Sequence, residues 1–151
     1  MIVYRLHRHT RQPFEYNLNR ESRWNPARTS MLYCASTVSL CCLEVLVHTD
    51  PDLLPDNLVW SWAELPADPE VLDYQWSIAD VERTRAAGKR RIESLRSLAI
   101  RVPSAIVPHT PVDFNILLNP LHDAWTSIHW QRGGPFRFDP RLFFDEPSPV
   151  P

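Results

Sequence analysis

An α+β domain of short mixed strands with a few helices is the fold class that the sequence predicts, and three observations carry the prediction. Apolar segments of strand length recur along the chain, one segment has the spacing of an amphipathic helix and a second has a helix's stop signal, and no segment repeats. Fifteen prolines against three glycines describe stiff loops, and no Gly/Ser-rich stretch separates domains. At 151 residues and 44% hydrophobic, the chain suits one compact domain. A domain of this length buries about two-thirds of its unfolded surface and needs no disulfide or metal to fold. The predicted organisation is a domain over 1–144 and a frayed C-terminal tail over 145–151, DEPSPVP.

The elements follow in order. Ile2–Leu6 alternates and reads as a strand, and a polar stretch then runs to Asn25. Ser30–Ala35 is a short apolar strand. Ser36 or Thr37 caps a helix reaching about His48, with Leu40, Leu43, Leu46 and Val47 as its apolar stripe, and Asp50–Pro55 ends it. Asn57–Leu65 alternates around Trp60 and Trp62. A second helix is predicted from near Ser77 to Gly88, which suits a C-cap. Leu98–Val102 and Ala105–Val107 flank Pro103 as a bent or edge strand pair, Phe114–Leu118 is a strand, and Phe136–Phe138 a further short one.

Charge is segregated. The net charge is −2, yet residues 1–28 carry six arginines against two acids, and residues 29–82 carry ten acids with no Lys or Arg. Either this is a solvated acidic face with a basic surface elsewhere, or the arginine-rich start lines a pocket for an anion such as a pyrophosphate. The planar guanidinium fork suits the second use.

Several function classes are excluded or disfavoured. A pI of 6.3, with no basic sheet bearing paired aromatics, argues against direct nucleic-acid binding. No apolar run approaches the roughly 18–20 residues of a membrane span, and the N-terminus lacks the apolar stretch of a secretory signal. Cys34, Cys41 and Cys42 are odd in number and lack C-x-x-C spacing, which suggests free thiols and a cytoplasmic address. Cys34 has no local partner to make it a nucleophile. His7 and His9 share a strand face but lack a third ligand, so no metal is expected. Three glycines so placed allow neither a phosphate loop nor a dinucleotide fingerprint.

One residue stands out on chemistry alone. Glu44 is the only Lys, Arg, Asp or Glu between Arg28 and Asp50, and a charge in so apolar a segment needs a reason.

Six blocks then occur in a telling order. They are R-W-N-P from Arg23, L-Y ending at Tyr33, L-E-V-L-V-H around Glu44, S-L-x-x-R-V-P-S ending at Ser104, L-L-N-P containing Asn119, and P-F-R-F-D-P-R-L. In that order the sequence resembles the RES-domain family over nearly its whole length. The Arg, Glu and Ser that name the family fall on Arg23, Glu44 and Ser104, and Tyr33 matches the family's pocket tyrosine. The chain departs from the family's pattern at Glu21-Ser22, where a Gly-Gly pair is usual, at Ala27–Ser30, and at Gly88–Ile92.

The resemblance implies an ADP-ribosyltransferase-like fold, in which NAD is a substrate cut at its nicotinamide–ribose bond and no cofactor is tightly held. Arg23, Tyr33, Glu44 and Ser104 are the implied catalytic set, and Arg23, Asn25, Tyr33, Glu44 and Asn119 the implied NAD-binding set. It further implies a toxin–antitoxin setting with an Xre-like antitoxin, and a homodimer, which exposed surface among six tryptophans would favour. Transfer of ADP-ribose to water or phosphate is the expected outcome. Transfer to a protein, or an inactive partner-binding module, are the alternatives. The chemistry is consistent: cleavage passes through an oxocarbenium-like state at the ribose C1′, which a carboxylate such as Glu44 stabilises while binding the 2′-hydroxyl. Arg23 would bind pyrophosphate, Tyr33 would face the nicotinamide, and Ser104 would bind substrate or orient Glu44.

Overall fold

The computed structural model describes residues 1–50, 53–72, 77–107 and 112–143. The predicted tail over 145–151, and part of the predicted helix terminator Asp50–Pro55, lie outside them. Among the described residues there are seven strands and two α-helices: β1 (Ile2–Arg8), β2 (Leu32–Ala35), α1 (Val38–Val47), β3 (Leu58–Glu64), β4 (Glu70–Val71), α2 (Val81–Glu93), β5 (Ala99–Pro103), β6 (Phe114–Leu118) and β7 (Trp130–Phe136). The strands form one sheet in the order β4-β5-β6-β2-β1-β3-β7, antiparallel except for the β4/β5 pair. The α+β class is borne out.

Period-2 burial sorts the strand residues onto two faces. On one face Val3, Leu32, Cys34, Ala63, Ile116 and Leu118 pack together, joined by Ile128 and by the half-buried Trp125 and Trp130. The opposite face carries both helices. Ile100, Val102 and Leu117 receive Ala87 and Ile92 of α2 together with Trp24 and Met31, while Ala35, Tyr4 and Leu6 receive Leu40 and Cys41 of α1.

The sheet is not evenly zipped. β1 meets β3 at every position from Ile2↔Glu64 to Arg8↔Leu58. It meets β2 at Tyr4↔Ala35 alone. Beyond that pair, Arg5 and Leu6 on one side and Leu32–Cys34 on the other have no register partner across the β1/β2 seam. The sheet therefore splits in its middle.

Local sequence explains the helix ends. Thr37 is the N-cap of α1, its hydroxyl accepting from the Leu40 N–H at 3.1 Å. The buried face of α1 keeps only part of the predicted stripe: Leu40 is buried, together with Cys41, while Leu43 and Val47 are exposed. Asp80 caps α2 by accepting from the Arg83 N–H at 3.1 Å, so the helix starts later than predicted, beyond the short turn Ser77–Asp80.

Gly88 does not end α2, which runs to Glu93 with Leu95 at φ 54° just beyond it. Gly88 is required for a different reason. A Cβ there would lie 2.0 Å from the Trp24 carbonyl oxygen, so only glycine lets the helix sit on that loop.

Two other elements differ from expectation. Ala105–Val107 is a bend rather than a strand, and β5 is not an edge, since β4 lies outside it. The last strand is β7 rather than Phe136–Phe138, and it passes through Gly133-Gly134-Pro135. A Cβ at Gly133 would lie 2.2 Å from the Trp60 indole, so glycine there serves packing across the β3/β7 pair.

Candidate active site at the split between β1 and β2

A cavity of about 890 Å³ opens at the seam, within the ~300–1,000 Å³ range of small-molecule sites. Arg5 and Leu6 of β1 and Met31–Ala35 of the β2 side line it, with α1 contributing Cys41, Glu44, Val45, Val47 and His48. Four of the six arginines in residues 1–28 reach its wall: Arg5, Arg11, Arg20 and Arg23. The pocket reading of the arginine-rich start thus describes their placement better than a dispersed basic surface does. Arg85 of α2 joins them, and Glu15 and Glu21 lie on the same wall.

The loop carrying Arg23 is pinned from several sides. It closes on itself through the Ser22 N–H, which donates to the Asn25 carbonyl at 2.9 Å. On α2, the Thr84 hydroxyl donates to the Arg23 carbonyl at 2.7 Å, and Arg85 Nε donates to the Ser22 carbonyl at 2.9 Å. Arg23 itself donates from one terminal nitrogen to the Ile78 carbonyl at 2.7 Å, which fixes the guanidinium plane. These bonds order the wall at Ser22–Asn25, next to Glu21-Ser22 where the chain departs from the usual family residues.

Tyr33 projects from β2 with its hydroxyl already engaged. The hydroxyl donates to Asn25 Oδ1 at 2.7 Å and accepts from the Trp24 N–H at 3.2 Å. Asn25 Nδ2 donates in turn to the carbonyls of Arg20 and Pro26. Burial lifts the Tyr33 phenol above its usual range, so it stays protonated. Arg20 opposes that rise and the Glu44 carboxylate adds to it, which places both charges within electrostatic reach of the ring. Tyr33 therefore fastens the Arg23–Asn25 loop to the sheet, and its ring, not its hydroxyl, is what remains for a ligand.

Glu44 lies one helical turn beyond Leu40 and next to Val45, at the edge of the α1 face that packs on the sheet. Its Oε1 accepts from Asn115 Nδ2 at 2.7 Å, and its Oε2 lies 3.8 Å from His48 Nε2. The side chain is 29% exposed, partly dry but open to the cavity. Asn115 comes from β6, where it pairs with Ala35 and Val102. Sequence reasoning missed it, although its signal was the one used for Glu44: a polar residue inside an apolar run, FNILL.

Two predicted residues are absent from the cavity wall. Ser104 is fully buried, and its hydroxyl accepts from the N–H groups of Ile106 and Val107 at 3.1 and 3.2 Å. It shapes the bend whose Ala105 and Ile106 do line the cavity. Asn119 is also fully buried. It donates to the Ile92 carbonyl at 2.9 Å and accepts from the Leu121 N–H at 3.0 Å, tying the end of α2 to the end of β6.

The remaining candidates have structural partners. His7 is buried, with Nε2 2.9 Å from the Ser61 hydroxyl and Nδ1 3.0 Å from the Arg8 carbonyl, and burial lowers its pKa. His9 lies beyond β1 and is exposed. Burial pushes the Cys34 thiol up to about 12 and raises those of Cys41 and Cys42 as well, the opposite of what a nucleophile needs. Among the described tryptophans none is exposed, so the exposed indoles expected at a dimer interface are not found there. No helix among the described residues is long and apolar enough to cross a membrane.

Comparison with known proteins places these observations in a family. The RES domain matches residues 2–139. The chain is 34% identical over 150 residues to Toxin Res of Pseudomonas putida, covering 95% of this chain and 100% of that protein. It is 36% identical over 130 residues to Toxin Res of Photorhabdus laumondii, covering 80% of each. A Prs ADP-ribosylating toxin of a Sphingobium species is 31% identical over 130 residues, covering 80% of this chain and 79% of that protein. The chain belongs to the RES-domain family, and over most of its length it is similar to members of that family named as toxins.

Proposed function

We propose that this protein is an NAD-consuming toxin that cleaves the nicotinamide–ribose bond within the β1/β2 seam. The observation that carries the reading is Glu44: a half-buried carboxylate, held by Asn115, in the wall of an arginine-lined cavity. Its negative charge would stabilise the oxocarbenium character developing at C1′ and accept a hydrogen bond from the 2′-hydroxyl. Nicotinamide leaves as a neutral base and needs no general acid. Arg23, its plane fixed by the Ile78 carbonyl, and the neighbouring arginines offer forks to the pyrophosphate. The Tyr33 ring offers a flat face to the nicotinamide. Ser104 would act by shaping the bend at Ala105–Ile106 rather than by touching substrate.

Water or inorganic phosphate would take the ADP-ribosyl group. Transfer to a protein side chain is the second reading, favoured by the name of the Sphingobium relative. Incubation of the purified protein with NAD, with and without phosphate, followed by mass analysis, separates them. Free ADP-ribose or its phosphorylated form supports the first reading and a protein adduct the second. NAD left intact in all cases contradicts both.

A cytoplasmic enzyme that destroys NAD must be restrained. An Xre-like antitoxin covering the cavity mouth, with a carboxylate set against the arginine wall, suits the charge of the site, and a homodimeric toxin is the form in which it would be held. Toxicity restored by truncating the end of a co-expressed antitoxin, with the complex still intact, would support plugging of the cavity. Unchanged protection would place the inhibitory contact elsewhere.

A further inference from the structure

We propose that Asn115 is a positioning residue for Glu44, fixing its carboxylate so that one oxygen is committed to the protein and the other is offered to the substrate. The inference rests on the reading of Glu44 above and extends it to a residue on a different element. The amide of Asn115 donates to Oε1 at 2.7 Å. It stands on β6, anchored on both sides by Ala35 and Val102, and the residue is buried. A glutamate on a helix surface has three rotatable side-chain bonds. A donor projected from the sheet beneath it selects one arrangement and removes the entropy of choosing it during the reaction.

The chemical identity of the donor matters as much as its place. A neutral amide leaves Glu44 with its full negative charge, whereas a cation in the same place would neutralise the charge that opposes the oxocarbenium. A carboxylate there would share a proton with it. The other titratable groups that face Glu44 are His48 and Cys41 on its own helix and Tyr33 on β2, with the arginines of the cavity wall beyond. None of the three donates to Oε1 in the structure.

The test uses the full chain and two substitutions. Asn115→Ala removes the donor while leaving a smaller side chain in β6. It is expected to lower kcat for NAD cleavage about ten- to a hundredfold with KM changed less than about threefold, since the loss falls on the transition state. Asn115→Asp keeps the shape and sets a second carboxyl against Glu44. The titration of the Glu44 carboxyl, followed by carbon-13 NMR and assigned by its absence in Glu44→Gln, is then expected to move up by about one unit or more. That shift reports the Asn115–Glu44 contact without any need for turnover, while the loss of kcat at a nearly constant KM is what a merely structural asparagine would not give. Both results together support the assignment. A kcat within about twofold of the parent in Asn115→Ala, or an unmoved Glu44 titration in Asn115→Asp, overturns it. A parent that leaves NAD intact while the titration still moves would refute the NAD-cleaving reading and leave the pairing of Asn115 with Glu44 standing.

Discussion

β1 has two antiparallel neighbours and treats them differently. Against β3 it is paired along its whole length, from Ile2↔Glu64 to Arg8↔Leu58. Against β2 it is paired at Tyr4↔Ala35 and then parts company. On the zipped side, polar residues are consumed within the fold: His7 meets Ser61, and Ser61 is fully buried. At the open seam, backbone groups and side chains from β1, β2, α1 and the Arg23 loop converge on a cavity. A sheet that closes everywhere gives stability but no concave surface. One that opens at a single seam gains a site whose walls are held by the strands on either side.

The comparison makes a testable division. Substitutions at the seam should remove activity while leaving stability nearly intact, and substitutions outside it should cost stability, with activity lost only where the seam leans on the altered contact. The largest effect is expected at Glu44. Glu44→Gln preserves shape and the neighbourhood of Asn115 but removes the charge, so NAD cleavage should fall by at least about two orders of magnitude in a protein with an unchanged melting temperature. Cleavage within a few-fold of the parent would remove Glu44 from the chemistry.

Gly88→Ala should act in the opposite sense. The new methyl meets the Trp24 carbonyl, so a helix or a loop must move, at about 1–3 kcal/mol in chemical denaturation. Because Trp24 adjoins Arg23, activity should fall too, which would show that the seam borrows its order from α2. Unchanged stability would mean that the α2 contact is looser than its geometry implies.

Arg23→Lys is expected to lower kcat/KM about ten- to a hundredfold, nearly as much as Arg23→Ala. A lysine cannot keep a bond to the Ile78 carbonyl and still present a two-pronged donor. Rescue by lysine would reduce Arg23 to a source of positive potential.

Asn119→Ala should cost about 1–3 kcal/mol of stability by stranding the Ile92 carbonyl and the Leu121 N–H. Turnover per folded molecule should be unchanged; a selective loss of NAD affinity would return Asn119 to the binding site.

The smallest effect belongs to His7. Burial lowers its pKa in the folded protein, so the unfolded chain takes up a proton first as the pH falls. The stability contribution is present above about pH 6.5 and is lost as the pH falls from there towards the depressed folded pKa. Unfolding free energies measured between pH 7 and pH 5 should decline, and His7→Gln should flatten that decline. An unchanged slope would assign it to other groups.

Most of the architecture was legible because period-2 and helical spacings survive in short segments. Phe114–Leu118 was located to the residue, and the cap of α1 to one of two candidates. What failed has a common physical cause. Gly88 was read as a helix terminator, yet it is glycine, as Gly133 is, because a distant group, the Trp24 carbonyl or the Trp60 ring, occupies the place of a Cβ. Similarly, Leu43 and Val47 fit an apolar stripe but are exposed, Leu43 away from the seam and Val47 in the cavity wall, because α1 turns Cys41 and Glu44 towards the seam.

At the site, the sequence located the isolated charge, Glu44, and the arginine-rich wall. It could not show that the Tyr33 hydroxyl is already spent on Asn25, or that Ser104 and Asn119 turn inward to backbone partners. Pairings of that kind join residues brought together only by the fold. Asn115, 71 positions from Glu44, is the clearest case.

The most direct test of the seam as the place of catalysis is a crystal structure of Glu44→Gln with NAD bound, since that substitution should bind substrate without consuming it. NAD is expected between β1 and β2, with its nicotinamide ribose beside position 44 and the Tyr33 ring and its pyrophosphate against Arg23. NAD bound instead in the smaller depression of about 370 Å³ lined by Arg11, Phe14, Trp130 and Arg132, with the seam empty, would contradict it.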